Sequence, residues 1–422
     1  MAVFVISLGL LLVLGLPIAA TLGLSALSIF PIARLPLSML SQRLFSGLDL
    51  GTLLAIPFFV FAGMVMQVGG LSRRIVSCAS AFFGSGSGGF ALVTIVASMF
   101  FSAVSGSGAA TAAAIGAIMI PAMTRQGYDP AFAASTQAAA AELGVIIPPS
   151  VSMILFCAAT NTPVSDMFIA GLLPGLLIGL SLMLTAWRVC RGRGYAGQPR
   201  PGRKARLRSV REAALALLMP LIVLGGIYGG VFTATEAAVV AAAYALLVSG
   251  LIYKELSWAD LRQALRSTVL MMGVVMSILA AAGVFAYVLT INSVPRQVAD
   301  LFISLSHSKL VFLLLINLLL LVVGMFFDGA PAMIVLAPIL LPAAVAFGLE
   351  PVHFGIIMVC NLALGMITPP FAVNLYVSAQ ISGSGVGQML PYVGLYTLTV
   401  LLDLLLISFL PQLSLVLPGL IA

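Results

Sequence analysis

Long apolar runs, interrupted by short polar or glycine-rich stretches, follow one another along this chain from end to end. Windows of roughly 20 apolar residues recur, and each is long enough to cross a hydrocarbon layer about 30 Å thick. The short alternating segments typical of an outer-membrane barrel are absent from the sequence. The pattern therefore predicts an all-α polytopic membrane protein.

The apolar runs also predict where the helices lie. The first run lacks a basic leader and is too long for the core of a signal peptide, so we expect it to be retained. SWADLRQALRS, at 257–267, has helical amphipathic spacing and predicts a helix lying on the membrane surface. The predicted apolar segments are near 2–22, 23–40, 50–69, 90–123, 130–160, 166–187, 213–232, 234–253, 267–290, 310–347, 351–380 and 389–416.

The stretch FSAVSGSGAATAAA, at 101–114, divides one apolar run in the middle. Each arm has about 15 residues, which at about 1.5 Å per residue is short of a full crossing. Arg74 and Arg125 flank the segment, and both suit the same side of the membrane. We therefore predict a re-entrant hairpin over 88–124 and a second over 310–347; the alternative is two ordinary spans joined by a short polar loop.

A shift of 221 residues aligns these two regions without a gap. Five predicted crossings separate the two hairpins, and an odd number places the copies in opposite orientations. Inverted-topology repeats of this kind are typical of secondary transporters. The matching pairs are Gly108 and Gly329, Pro121 and Pro342, Gly127 and Gly348, Asp129 and Glu350, Pro130 and Pro351, Gly144 and Gly365, Pro148 and Pro369, and Pro149 and Pro370.

Four breaks at membrane depth carry the candidate chemistry: SGSG at 105–108, GVIIPPS at 144–150, FDGAP at 327–331 and GMITPPF at 365–371. Irregular backbone in a bilayer must be buried in protein or line a wet cavity. Proline frees carbonyl oxygens that can bind a cation, and helix N-termini attract an anion. Each half could then hold one cation with an anion between them; the alternative for the double prolines is a simple kink.

Composition and charge support this class and locate one loop. The chain is 62% hydrophobic and 7% charged, and its net charge is +7. Nine of its 19 basic residues fall between 188 and 211, which predicts a cytoplasmic loop rather than a nucleic-acid site. Cys78, Cys157, Cys190 and Cys360 lack metal or redox spacing and are expected in the core.

Acidic residues inside apolar segments are functional candidates because a bilayer makes them costly. Asp328 lies at the second hairpin tip, where its alternative role is to cap the following helix. Glu142 and Glu236 are predicted to be membrane-embedded, where each could pair with a buried arginine or shuttle a proton. Asp403 is predicted in the last span, without an assigned role.

The motifs SGSGAATAAAIGAIMIPAM, LGVIIPPS and LGMITPPFAVNLYV closely resemble the large membrane subunit of tripartite ATP-independent periplasmic (TRAP) transporters, the DctM family. The resemblance covers essentially the whole chain. It implies a Na⁺-coupled, elevator-type importer of small organic acid anions in the bacterial inner membrane. It also implies a separate four-helix membrane subunit and a periplasmic binding protein as partners, with Na⁺ as coupling ion and no cofactor.

The resemblance further implies which residues bind. The first sodium site would comprise Ser105, Gly106, Ser107, Gly108, Gly144, Val145 and Pro148. The second would comprise Phe327, Asp328, Gly329, Gly365, Met366 and Thr368. Candidates for the substrate cavity are Ser105, Ser107, Thr111, Pro149, Asp328, Pro370 and Asn374. Family members often carry a small or hydroxyl residue where this chain has Glu142.

The implied architecture places the repeats in a moving transport domain. The predicted divisions are scaffold at 1–70, first transport repeat at 71–187 with broken helix 130–160, basic loop at 188–211, scaffold at 212–290, and second transport repeat at 291–422 with broken helix 351–380.

Two other functions are compatible with parts of the pattern. A single-component Na⁺- or H⁺-coupled carboxylate transporter would share the hairpins without needing a binding protein. An intramembrane serine protease would need a histidine base beside a serine. His307 lies in a polar stretch outside the spans and His353 at a helix start, so neither forms an evident dyad. No enzymatic activity is expected.

Overall fold

The computed structural model describes residues 2–195, 197, 199, 201–305 and 308–421, and within them every regular element is a helix. Ten helical segments in this part are long and apolar enough to cross a membrane. The predicted all-helical membrane class is therefore confirmed.

The helices of the first half, in chain order, are α1 Ala2–Val13, α2 Ile18–Leu27, α3 Leu37–Ser46, α4 Ala55–Val68, α5 Leu71–Phe83, α6 Gly89–Ser105, α7 Gly108–Arg125, α8 Pro130–Ala141, α9 Leu143–Ile146, α10 Val151–Thr160 and α11 Val164–Arg193. Those of the second half are α12 Arg203–Tyr228, α13 Ala234–Leu246, α14 Trp258–Ile291, α15 Val294–Leu305, α16 Lys309–Phe326, α17 Gly329–Ala346, α18 Pro351–Gly365, α19 Val373–Ser382, α20 Val386–Phe409 and α21 Gln412–Ile421.

The two halves repeat the same order of helices. Both ends of α7 and α17 differ by the 221 residues of the sequence alignment, and α6 with α16 and α8 with α18 agree within a few residues. The correspondence also includes α5 and α15, two short helices before the hairpins that the sequence analysis did not identify as separate elements. The breaks at 147–150 and 366–372 interrupt both long segments where the double prolines lie.

The prediction of full spans at 2–22 and 23–40 is wrong. α1 ends at Val13 and α2 starts only at Ile18, because Gly15 adopts a left-handed φ of 71° and Pro17 precedes the new helix. α2 has 10 residues, and α3 is a separate helix after it. Both interruptions contain Gly or Pro, so the sequence carried a local signal that the hydropathy pattern obscured.

Two further boundaries differ from prediction. Much of the supposed basic loop 188–211 is helical, since α11 continues to Arg193 and α12 begins at Arg203. The predicted surface helix 257–267 starts as expected, with a capping box between Ser257 and Asp260. It then continues without a break as α14 to Ile291, 34 residues in all, because no glycine or proline interrupts it near residue 267.

The hairpin arms are longer than the expected 15 residues. α6 has 17 residues and α7, α16 and α17 have 18 each. At about 1.5 Å per residue an arm of this length approaches the thickness of the hydrocarbon layer. Arm length therefore does not distinguish a re-entrant hairpin from two ordinary spans, and the re-entrant prediction depends on Arg74 and Arg125, which flank the first hairpin.

The broken helices form the centre of the molecule. Every residue of α8 from Ala131 to Ala141 is buried, as is every residue of α18 from His353 to Gly365. Small side chains dominate α8, which allows α6, α7 and α20 to pack closely around it. This core supports both hairpin tips.

Candidate functional site

The first glycine–serine tip joins α6 to α7 and is held by its own hydroxyl groups. Gly106 follows α6 with a φ of 60°, a conformation that glycine adopts without steric cost. The Ser105 hydroxyl lies 3.0 Å from the Thr111 hydroxyl, which donates to the Ser107 carbonyl at 2.9 Å. The Ser107 side chain accepts from the N–H of Ala110 and so caps α7.

The first break packs directly against this tip. The two prolines of its PPS motif lack N–H groups, so the carbonyls of Gly144 and Val145 lose their helical donors. The Ser150 hydroxyl donates to the Val145 carbonyl at 2.6 Å and compensates one of them. A Cβ on Gly144 would lie 2.5 Å from the Ser107 carbonyl oxygen, so glycine is required for this close approach.

The second tip joins α16 to α17 beside a cavity of about 230 Å³. Phe327, Asp328 and, from the second break, Met366 all line this cavity. One carboxylate oxygen of Asp328 accepts from the N–H of Gly329 at 2.9 Å, and the residue is otherwise exposed. Asp328 thus caps α17, as its alternative role required, and still presents a carboxylate to the cavity.

The second break folds back on itself. The N–H of Asn374 donates to the Met366 carbonyl at 3.1 Å. The Thr368 hydroxyl donates at 2.8 Å to a carbonyl of the preceding helix. Gly365 lies so close to the backbone of Gly324 in α16 that no Cβ fits between them. Both repeats therefore place a hairpin against a glycine of their own broken helix.

The repeats also exchange contacts with each other, since α10 packs on α17 and α19 packs on α7. Within each repeat a hydrogen bond ties the tip to the break: the N–H of Val151 donates to the Gly106 carbonyl at 3.2 Å, and the N–H of Phe371 to the Met325 carbonyl at 3.1 Å. The N-termini of α7, α10, α17 and α19 are thereby drawn together. Each of these helix ends carries partial positive charge.

Asn374 is the most informative polar side chain at this junction. It is fully buried, and neither its amide oxygen nor its amide nitrogen has a hydrogen-bond partner among the described residues. Both atoms lie 3.0–3.1 Å from where a Cβ would stand on Gly108, the first residue of α7. On the opposite side, the Ser152 hydroxyl of α10 lies 3.9 Å from where a Cβ would stand on Gly329 of α17, an ordinary contact distance. A buried amide facing a helix N-terminus can bind an anion.

The structure does not gather all seven candidate cavity residues at one surface. Ser105, Thr111, Pro149 and Asn374 are buried, and Ser107 is partly buried. Asp328 is exposed at the second tip and Pro370 in the second break, where the Pro370 carbonyl accepts from the hydroxyl of Tyr376. Gly106, Gly108, Gly144, Val145 and Pro148 are buried within the first tip and break; Gly329, Gly365 and Met366 are buried and Phe327 and Thr368 half-buried in the second.

The acidic candidates separate into three environments. Glu142 is completely buried, and neither of its carboxylate oxygens has a partner in the part of the chain described. Asp403 is buried at the contact of α20 with α11, where the Ser181 hydroxyl donates to it at 2.9 Å. Glu236 is not embedded as predicted. It is exposed and closes a capping box with Thr233 at the start of α13, a role that its position in TATE could have suggested.

Sequence reasoning missed several buried polar groups near the tips. Gln137 donates its amide to the Thr111 carbonyl at 3.1 Å, and its amide oxygen has no described partner. Ser378, one turn beyond Asn374 on α19, is buried with an unpartnered hydroxyl. Gln137 was signalled only as the last of three polar residues, Ser135, Thr136 and Gln137, between runs of small apolar residues, and nothing in the spacing marked Ser378.

The histidines do not support a protease. His353 is buried, and its Nε2 lies 3.4 Å from the carbonyl of Ser408 in α20, away from the glycine–serine tip. His307 lies outside the described residues.

Comparisons with known proteins agree with this architecture. Residues 5–413 match the family model described as the DctM component of the tripartite ATP-independent periplasmic transporter. The chain is similar to the isethionate TRAP transporter permease protein DctMQ of Oleidesulfovibrio alaskensis, with 40% identity over 412 residues. That match covers 97% of this chain and 65% of the relative, so the chain spans just under two thirds of that protein's length.

A second relative matches over nearly its full length. The C4-dicarboxylate TRAP transporter large permease protein DctM of Pseudomonas aeruginosa is 40% identical over 400 residues, covering 94% of both chains. Among solved structures, the YdaH transporter of Alcanivorax borkumensis shares the fold at a TM-score of 0.63 and 18% identity, covering 88% of this chain and 86% of that one. The chain is a multi-pass membrane protein that belongs to the DctM family of TRAP transporter permease subunits.

Proposed function

We propose that this chain is the Na⁺-coupled subunit that moves a small organic acid anion across the bacterial inner membrane. The convergence of four helix N-termini on two proline-interrupted breaks is the observation that carries the proposal. Related permeases are named for C4-dicarboxylates and for isethionate, so a small carboxylate or sulfonate anion fits their range.

Each repeat supplies one cation site. In the first, the Ser105 hydroxyl and the Ser107 and Gly144 carbonyls lie at the contact of tip and break. In the second, Asp328 and Met366 line one cavity, and the Asp328 carboxylate is the charged oxygen donor there. Hard oxygen ligands of this kind suit Na⁺. The remaining residues named for the two sites supply the backbone that turns between these oxygens.

The anion binds where the helix N-termini of both repeats meet. Asn374 offers an unpartnered amide there, beside Gly108 at the start of α7. Two bound cations would lower the cost of placing an anion in a low-dielectric site. This coupling makes transport of the anion dependent on Na⁺.

The proposed partners and movement are those that the family resemblance implies. The chain would act with a four-helix membrane subunit and a periplasmic binding protein, with the basic segment 188–211 on the cytoplasmic side. The hairpins and broken helices would slide as one body against a scaffold built from α1–α4 and α12–α14. The short helices α5 and α15 would connect the two bodies.

Uptake into proteoliposomes tests the proposal directly. The full chain is reconstituted with the small subunit, and radiolabelled acids are added with the binding protein. We expect uptake only when Na⁺ is present in the buffer outside the vesicles and the binding protein is also present. Equal uptake in choline buffer would refute Na⁺ coupling, and Na⁺-dependent uptake without the binding protein would support the single-component alternative.

A further inference from the structure

One face of α20 carries a line of polar side chains that the proposed sodium and anion sites do not use. Tyr392, Tyr396, Thr399 and Asp403 are spaced four, three and four residues apart, so they lie on one side of the helix. Tyr392, Tyr396 and Asp403 are buried and Thr399 is half-buried. We call these four residues the α20 stripe.

Each member of the α20 stripe is hydrogen-bonded to a neighbouring helix or its cap. The Tyr392 hydroxyl donates to the Asp129 carboxylate at 2.6 Å. The Tyr396 hydroxyl lies 2.9 Å from that of Thr136, and the Thr399 hydroxyl 2.8 Å from that of Thr185. The Ser181 hydroxyl donates to Asp403 at 2.9 Å. The stripe is thus a series of oxygen pairs along the seams of α20 with α8 and α11.

The series begins at a cavity that contains charged residues and is open to solvent, which we call the mouth. A cavity of about 510 Å³ is lined by Asp129, Arg193, Gln388 and Tyr392, among others. Arg193 lies 3.6 Å from the Asp129 carboxylate and 4.8 Å from the centre of the Tyr392 ring. This end of α20 lies beside the basic segment, so water can reach Tyr392 from that side.

The series ends at Asp403. This residue is 7% exposed, and its second carboxylate oxygen has no partner in the described chain. None of the ion pairs found among the described residues involves it. An ionised carboxylate in such a place is expensive, and an intramembrane acid is functional by default.

The first repeat shows that the fold does not require this stripe. The positions that correspond to Tyr392, Tyr396, Thr399 and Asp403 at the 221-residue offset are Gly171, Gly175, Ile178 and Leu182. All four are small or apolar, and α11 packs there as a buried helix. The polar stripe is therefore an addition to the second copy and not a feature of the architecture.

The helices packed on α20 carry several ionisable groups. From α18 these are Cys360 and His353, and the His353 Nε2 lies 3.4 Å from the Ser408 carbonyl near the end of α20. Glu142 directly follows α8, which also packs on α20. The remaining groups belong to the ends of the packed helices or to α19: Asp129 before α8, Asp166, Arg188, Cys190, Arg191 and Arg193 on α11, Lys309 on α16, and Tyr376 on α19.

We propose that Asp403 is a proton-binding site that receives its proton through the hydroxyl groups of the α20 stripe, starting from the end of the stripe near Arg193. A proton from water at the mouth passes between successive oxygens and is taken up by the free oxygen of Asp403, which turns from carboxylate to neutral acid. Successive pairs are about 4.5–6 Å apart along the helix, a gap that one water molecule bridges. The site adds proton binding to the proposed Na⁺-coupled transport and is separate from the two tips.

Infrared difference spectra of the full chain in lipid nanodiscs, recorded between acidic and neutral buffer, test the site. We expect a protonated-carboxyl band that is lost in Asp403→Asn and retained in Asp300→Asn, an exposed acid on α15. The measurement needs neither substrate nor Na⁺, so its result is independent of the proposed transport function. An identical band pattern in wild type and Asp403→Asn would overturn the proposal.

The path is tested by the rate at which that band changes after a pH jump. Tyr396→Phe removes one oxygen and keeps the ring, and Thr399→Val keeps the shape of the side chain. We expect both to slow protonation of Asp403, whereas Thr290→Val, on an exposed threonine of α14, leaves the rate unchanged. If the stripe were purely structural, the two substitutions would lower the melting temperature without changing the rate of protonation. That outcome would refute the relay.

Discussion

The two hairpin tips occupy corresponding positions in the repeats but differ in backbone, burial and packing; Gly106 has a φ of 60° where Phe327 has −126°. The first tip is sealed: Ser105 is 2% exposed and every residue from 141 to 150 is buried beneath it. The second tip is open, since Phe326 is 49% and Phe371 60% exposed and Asp328 faces a cavity. The arms also differ, because α6 packs along α7 whereas α16 packs on α18 and α17 on α15 and α10.

The difference shows which features the duplication preserved. Gly108, Gly144 and the double proline recur at Gly329, Gly365 and the second double proline, while Ser107 is replaced by Asp328. What recurs is the set of residues that break and turn the backbone. We infer that the proposed cation sites depend first on carbonyl geometry and only secondarily on side chains.

The largest expected effect comes from adding a Cβ at either shared contact. Gly144→Ala would press on the Ser107 carbonyl and Gly365→Ala on the Gly324 backbone. Overpacking of this kind costs about 1–3 kcal/mol, and we expect both variants to lose uptake and melt earlier. Gly225→Ala in α12, where a Cβ meets nothing within 4 Å, is the control. Full activity in Gly144→Ala would contradict the close contact.

An intermediate effect should separate the side chains of the two tips. Asp328→Asn removes a charge, which we expect to raise the Na⁺ concentration for half-maximal uptake about tenfold, since a bond to a charged group is worth about 1.5–3 kcal/mol. Ser107→Ala removes a weak helix cap at 3.4 Å. We expect it to change the Na⁺ concentration for half-maximal uptake only a few-fold, which corresponds to about 1 kcal/mol.

Na⁺ titrations of uptake measure both variants, with Asp300→Asn as the matched charge control. If Ser107→Ala weakened Na⁺ binding more than Asp328→Asn, the assignment of the carboxylate to the second site would be wrong.

The smallest effect concerns the residue after each double proline. Ser150 is buried, donates to Val145 at 2.6 Å and caps α10, so Ser150→Ala should cost about 0.5–2 kcal/mol. Its counterpart Phe371 is largely exposed, so Phe371→Ala should leave thermal stability nearly unchanged. Thermal melting of both variants in the same detergent makes the comparison, and equal losses would show that the second break is packed as tightly as the first.

Local chemistry explains which elements could be predicted. The helix starts at Gly108, Gly329 and Ser257 and the breaks at both double prolines follow from glycine conformation, missing N–H groups and capping, all of which act within a few residues. The errors arose where a continuous apolar run concealed a turn, as at Gly15, or where a helix continued past an amphipathic stretch, as in α14. Hydropathy reports burial in lipid or protein and does not by itself locate such turns.

The sequence alone determined the class of protein, the duplication, the positions of the four breaks and the family resemblance, because these depend on composition and on residues close together in the chain. Only the tertiary structure decided that Asn374 faces Gly108, that the first tip is sealed and the second open, and that Asp403 ends a line of hydroxyl pairs. These contacts join residues of different helices, many of them more than 200 positions apart, and they exist only once the two repeats have packed against each other.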